Sequence, residues 1–129
     1  MLLEFKTKNY KSFVEESSFS MVAAPKQKGL DYSLMKTKVK GKEIRGLSSS
    51  VIYGPNAAGK TNIIGAMDVL RAIVLRGNIR NSEEKSSPNP AAAALELIPN
   101  NNETEGMPVC FSVEFYEEDA GDKFRILYE

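Results

Sequence analysis

The sequence predicts an α/β fold in which a mixed sheet, carrying an antiparallel β arm, leads into a tight loop and one long helix. Three observations predict it. The octapeptide Gly54-Pro55-Asn56-Ala57-Ala58-Gly59-Lys60-Thr61 fits the pattern G-x-x-x-x-G-K-[ST]. Directly after it, apolar residues at 63, 67, 70 and 74 fall at helical spacing. Leu3 and Phe5 at the start, and Val109, Phe111, Val113 and Phe115 near the end, alternate with other residues at the strand period of about two. Strand, loop and helix in that order are what a P-loop NTPase-like N-terminal lobe requires.

Taken in order, Leu3, Phe5, Tyr10, Phe13, Phe19 and Met21 mark two antiparallel strands at 2–9 and 13–23, joined through the turn-prone residues Asn9 to Ser12. Residues 25–46 are lysine-rich and punctuated by Gly29 and Gly41, an exposed excursion with a short strand near 34–39. Val51-Ile52-Tyr53 belongs to a strand at 49–53 that feeds the loop, and the helix runs over 60–76 until Gly77 stops it. Residues 78–91 carry Pro88, Pro90 and hardly any apolar side chain, so they read as a flexible linker. Residues 91–98 fit a short helix and a strand equally. Asn100 to Asn102 forms a turn, and 109–116 and 124–128 are the arms of a closing hairpin turned at Asp119 to Asp122. One partial domain, 1–129, results: β arm, loop and helix over 1–76, linker over 78–91, hairpin region over 92–129.

Each fixed position of the octapeptide has a physical task. Gly54 and Gly59 let the backbone turn tightly, so that the amides of Asn56, Ala57 and Ala58 can face one anion-sized concavity. Lys60 reaches the β and γ phosphates of a nucleoside triphosphate, and Thr61 offers a hydroxyl ligand to Mg²⁺. The helix that opens there adds its partial positive charge. ATP and Mg²⁺ are the expected ligands.

Composition excludes several alternatives. The chain holds 17 Lys and Arg against 17 Asp and Glu, so bulk charge argues for neither nucleic acid nor an anionic membrane. The distribution is uneven: segment charges are +5 over 1–45, +3 over 46–82 and −8 over 83–129. Lysines at 36, 38, 40 and 42 alternate with Thr37, Val39 and Gly41, which suits a solvated hairpin arm as well as a phosphate-facing surface. There is no histidine, which excludes His-based acid–base catalysis and His metal sites, and the one cysteine, Cys110, allows no internal disulfide and reads as a small half-buried strand residue. No secretory signal or membrane-length apolar run is visible, so a cytoplasmic protein is expected.

Asn9-Tyr10-Lys11-Ser12-Phe13 followed by Gly-Pro-Asn-Ala-Ala-Gly-Lys-Thr-Asn resembles the RecF/SMC-like branch of ABC-type ATPases, and more closely the AAA-family ATPases related to the overcoming-lysogenization-defect proteins of bacteria. The resemblance covers about residues 1–76. It implies that Lys11 to Phe13 lie near adenine and ribose, that Asn56 to Thr61 hold the phosphates, and that Asn56 and Asn62 occupy positions where the family often has asparagine. Phe13 is equally readable as a core residue, and Lys11 as an exposed lysine. The resemblance further implies a homodimer through the nucleotide face, and nucleic acid or an effector protein as partner.

The departures shape the functional expectation. The family completes its site with a glutamine loop, a signature sequence donated across a dimer, and an apolar strand ending in Asp-Glu followed by histidine. Here Gln27 is the only glutamine and precedes the loop. The nearest acidic segment, Val113 to Asp119, alternates where a buried metal-supporting strand is continuously apolar. The expectation is therefore an ATP-binding N-terminal lobe, in bacterial DNA metabolism or phage defence, that hydrolyses ATP once the missing elements are supplied. A self-sufficient small NTPase using Glu117, Glu118 or Asp119, and a non-catalytic interaction module stabilised by nucleotide, are the rival readings.

Overall fold

A computed structural model describes residues 1–25, 29, 31–39, 41–77, 97–100, 106–119 and 122–129. Among the described residues the elements are β1 (Leu2–Lys8), β2 (Ser17–Ser20), β3 (Leu34–Val39), β4 (Lys42–Leu47), α1 (Lys60–Arg76), β5 (Cys110–Asp119) and β6 (Asp122–Tyr128), with a 3-10 turn at Asp31–Ser33. They form two compact units, one from residues 1–6, 18–53 and 112–129, the other from 7–17 and 54–111. The expected linker at 78–91 and most of 91–98 lie outside the described residues; Leu97 and Ile98 are in neither helix nor strand.

The first unit is built on a four-stranded sheet in the order β2-β1-β5-β6. β1 behaves as its alternation predicts: Leu3, Phe5 and Thr7 are buried, and the residues between them are half-buried. The Met1 ammonium donates to the Tyr116 carbonyl at 2.6 Å, and the Tyr116 amide to the Met1 carbonyl at 2.7 Å, which ties the chain start to β5. β5 and β6 pair antiparallel from Val113↔Tyr128 to Asp119↔Asp122, the expected closing hairpin. β5 lies between two strands, and its residues 111–115 are all half-buried while Tyr116, expected on the polar face, is buried. Side chains on both faces of this strand are therefore partly covered, and the clean alternation expected of it is absent.

β3 occupies the range expected for it and pairs antiparallel with β4, from Leu34↔Leu47 to Val39↔Lys42. The described lysines of this arm, Lys36, Lys38 and Lys42, are exposed, as a solvated hairpin requires. Lys36 Nζ donates to Asp31 Oδ1 at 2.5 Å, and that contact holds the Asp31 carboxyl below its ordinary range.

Four expectations are corrected here. The strand expected at 13–23 is regular only over Ser17–Ser20, because Glu15 and Glu16 are exposed and residues 21–23 turn away to join the hairpin. Met21 bonds both Leu3 and Leu47, and the Ala23 amide donates to Arg45 O at 3.0 Å. The strand expected at 49–53 does not form: these residues join neither sheet, and Val51 and Tyr53 are 82% and 89% exposed. A strand exists only where a neighbour completes its ladder, and among the described residues none lies alongside. The mixed sheet expected from it is accordingly replaced by pairs that are antiparallel in both hairpins. Cys110 is exposed rather than half-buried, since it opens β5 instead of sitting within it.

The second unit is organised by α1, which fills the expected range of 60–76. Its end is set by Gly77, at φ 69°, whose amide caps the Ile73 carbonyl at 2.8 Å. The buried face is formed by Ile63, Ala66, Val69, Leu70 and Ala72, whereas Val74, expected on the apolar stripe, is half exposed. Small Ala66 and Ala72 admit close packing, so the stripe follows size as well as hydropathy. Burying side chains such as Ile63, Val69 and Leu70 stabilises by about 1.5–3 kcal/mol each.

Candidate nucleotide-binding site

The site is assembled from the loop before α1 and from the turn after β1. Within the loop the Ala58 amide donates to the Pro55 carbonyl at 3.3 Å, and Ala57 and Gly59 take left-handed conformations, with φ of 64° and 81°. Such a backbone is cheap for glycine and costs an alanine about 1 kcal/mol. The two motif glycines differ in what demands them. A Cβ at Gly54 would meet only Ala58 at 3.6 Å, an ordinary contact, whereas one at Gly59 would press on the Phe13 ring and on Ser12 Oγ, both at 3.2 Å.

Gly59 is also the N-cap of α1 and brings no side-chain cap, and the first turn holds no acidic residue. The Asn62 amide donates to the Gly59 carbonyl at 3.0 Å, so the Lys60 and Thr61 amides at the head of this 17-residue helix keep their donor capacity, together with the partial positive charge of the helix start. Lys60 adds a full charge at the same place: its Nζ donates to the carbonyls of Gly54 at 2.9 Å and Pro55 at 2.6 Å, so the ammonium is folded across the loop. Thr61 is exposed and half-buried Asn62 follows, its Nδ2 donating to Ser12 Oγ at 2.8 Å.

The turn that carries Ser12 is held by a knot of buried polar groups. Asn9, only 1% exposed, has φ 53°; its Nδ2 donates to the carbonyls of Met107 at 2.8 Å and Pro108 at 3.3 Å, and its Oδ1 accepts from the Asn100 amide at 3.0 Å. Asn100 returns a bond from Nδ2 to the Lys11 carbonyl at 2.7 Å. Tyr10, also 1% exposed, stacks edge-on against Phe111, and its hydroxyl stands 3.3 Å from where a Cβ on Gly65 would be. Gly65 therefore lets the helix approach the turn closely.

Of the expected site residues, the structure brings together Phe13, Gly59 and Asn62. Lys11, at φ 48°, places its Nζ 5.7 Å from the centroid of the Tyr10 ring. Asn56, Ala57 and Ala58 are exposed along the loop. Sequence reasoning missed Asn9 and Asn100 as the braces of the turn and Ser12 as the partner of Asn62. The turn-prone character of Asn9 and Ser12 was visible, but partners some 90 and 50 residues away were not.

A nucleoside triphosphate with Mg²⁺ fits this donor set: a cation at the loop, uncapped helix amides, and the Thr61 hydroxyl one residue beyond Lys60. Among the described residues no three His, Cys, Asp or Glu side chains gather to hold a metal by themselves, so Mg²⁺ would be held by Thr61 together with phosphate oxygens. No described helix is long and apolar enough to cross a membrane.

Comparison with known proteins adds the family. The AAA-domain family described as AbiEii toxin-like, of type IV TA systems, matches residues 49–122, which takes in the loop, α1 and β5. No curated protein and no solved structure matches the chain. The match covers more than half of the sequence and includes the loop at 54–61, so the chain belongs to this AAA-type family of P-loop ATPases.

Proposed function

We propose that the chain binds Mg²⁺-ATP through Gly54 to Thr61 and is the nucleotide-binding lobe of an ATPase of the RecF/SMC-like, overcoming-lysogenization-defect-related group. The observation that carries this reading is the Lys60 ammonium, 2.9 and 2.6 Å from two loop carbonyls at the start of an uncapped helix. Phosphate oxygens offer that ammonium a charge-assisted partner stronger than a neutral carbonyl. Lys60 neutralises the terminal phosphates, the loop and helix amides orient them, and Phe13 supplies an apolar edge beside Gly59. When bound, Mg²⁺ draws off further negative charge.

Turnover needs a group that orients the attacking water, and the sequence has no histidine, no glutamine after the loop and no signature sequence. Hydrolysis is accordingly assigned to an assembly in which elements outside this sequence complete the site, for instance by pairing of two nucleotide faces, in DNA metabolism or phage defence. One observation favours a second reading, a nucleotide-stabilised interaction module. β6 is an edge strand on which Phe124, Ile126, Leu127 and Tyr128 are between 36% and 59% exposed.

Equilibrium titration with Mg²⁺-ATP tests the main reading. Lys60→Ala should weaken binding at least about tenfold while leaving the fold intact. Equal affinity of folded parent and variant would refute it.

A further inference from the structure

A cleft of about 430 Å³ lies wholly within the first unit, whereas the loop Gly54 to Thr61 and the turn after β1 belong to the second. That volume falls in the range of about 300–1,000 Å³ usual for small-molecule sites. The apolar part of its wall comes from Leu3 of β1, Ile44 of β4, and Val22 and Pro25 on the segment after β2. The Ala23 amide donates to the Arg45 carbonyl at 3.0 Å and Val22 bridges Gly46, so this segment runs beside β4.

Charged groups complete the lining: Lys42, Glu43 and Arg45 from β4, Glu114 from β5 and Arg125 from β6. Two of them are matched by strand register. Arg125 pairs with Tyr116, and Glu114 lies two residues before Tyr116, so both side chains stand on one face, where Arg125 Nε donates to Glu114 Oε1. Arg45 has no such match. It is half-buried, its Nε is shut away from water, and among the described residues that nitrogen meets no acceptor. Asp31, whose carboxyl lies in the field of Arg45, is bonded by Lys36 Nζ at 2.5 Å. A buried N–H without an acceptor forfeits the hydrogen bond it makes with water in the unfolded chain.

The guanidinium edge that carries Nε presents two parallel N–H groups, a geometry that a carboxylate accepts with both oxygens. Turned towards the cleft, that edge gains the acceptor it lacks. Charge then limits the ligand. Three cations, Lys42, Arg45 and Arg125, stand against two carboxylates, Glu43 and Glu114, which leaves one net positive charge on the lining. A single carboxylate balances that charge and a phosphate dianion exceeds it. The apolar wall favours a hydrocarbon body behind the carboxylate.

We propose that this cleft binds a small monocarboxylate with an apolar body, the Arg45 guanidinium holding the carboxylate and Leu3, Val22 and Ile44 covering the hydrocarbon. The site is built from other residues than the nucleotide site, and the two readings stand independently.

Titration of octanoate into the isotope-labelled protein, followed by the Arg45 Nε–H resonance and the backbone amides of 42–45, tests it. Octanoate should shift these signals and bind at least about tenfold more tightly than octanamide, which keeps the body without the charge, or than inorganic phosphate, which keeps charge without the body. Arg45→Gln should weaken octanoate at least about tenfold and leave Mg²⁺-ATP binding at the parent's level. Equal affinity of the parent for octanoate and octanamide would overturn the role of the guanidinium, and that comparison holds whether or not the variant folds. So would equal octanoate affinity in folded parent and Arg45→Gln. Phosphate binding as tightly as octanoate would replace the apolar acid by a plain anion. A preference for N-acetyl-trileucine over octanoate would overturn the small-molecule assignment in favour of the C-terminal carboxylate of a protein. No shift with any of these probes would overturn the site.

Discussion

C-terminal to the phosphate loop, α1 closes its own hydrogen bonds over 17 residues and buries Ile63, Ala66, Val69, Leu70 and Ala72. N-terminal to the loop, residues 49–53 are just as apolar and β-branched, yet they join no sheet and leave Val51 and Tyr53 in solvent. The difference lies in where each backbone finds its partners. A helical amide bonds a carbonyl four residues away, so the segment carries its own ladder. A strand borrows its ladder from another segment. The hairpin β3–β4 falls between these limits, because its partner follows after a short turn. The loop is therefore held firmly from the helix side, and by Ser12 and Phe13 at Gly59.

The largest effect expected from breaking this comparison is on the helix flank. Ala66 is fully buried, and Ala66→Asp would place a carboxylate in the packed face of α1 without a partner. A loss of at least about 3 kcal/mol is expected, enough to unfold a marginal domain. Urea denaturation followed by helical circular dichroism measures it. An unchanged midpoint would mean that α1 is not packed as described.

Next come the two glycines that bracket the helix. Both are left-handed, at φ 81° and 69°, but a Cβ on Gly77 meets nothing within 4 Å while one on Gly59 meets Phe13 and Ser12. Gly77→Ala should cost about 1 kcal/mol from backbone conformation alone. Gly59→Ala should cost more, about 2 kcal/mol, because crowding adds to it. Equal costs for the two variants in the same denaturation experiment would show that the turn after β1 does not press on the loop.

What could be read from the sequence follows the same division. The bounds of α1, its stop at Gly77, β1 and the two closing strands are set by local spacing and capping, and each is visible in the residues themselves. The octapeptide located the loop for the same reason, since the glycine, lysine and threonine positions have individual tasks. The fate of 49–53 depends on a neighbour, and β4 depends on β3, so neither could be deduced from its own composition. Within the site, the bond from Asn62 to Ser12 joins residues 50 positions apart, and the bond from the Asn100 amide to Asn9 joins residues 91 apart. Such pairings leave no periodic trace, whereas the turn propensity of Asn9 and Ser12 does.

The smallest expected effect falls on the strand flank and gives the sharpest form of the comparison, because one chemical change can be made on both sides. Val→Thr keeps the β-branched shape and exchanges a methyl for a hydroxyl, so it leaves backbone preference nearly alone and reports burial. At Val69, 1% exposed, the hydroxyl would be taken from water, and a loss of about 2 kcal/mol is expected. At Val51, 82% exposed, water remains available in both folded and unfolded states, and the change should stay within about 0.5 kcal/mol. Tyr53→Thr, at an 89% exposed position, should behave like Val51→Thr. Denaturant midpoints for the three variants decide the matter at equal protein concentration. If Val51→Thr costs as much as Val69→Thr, residues 49–53 are covered in solution, and the strand flank has found the partner on which its ladder depends. Repeating the measurement over a range of protein concentrations then separates the two sources: a cost that grows with concentration places the partner on a second copy of the chain, and a constant cost places it within the same one.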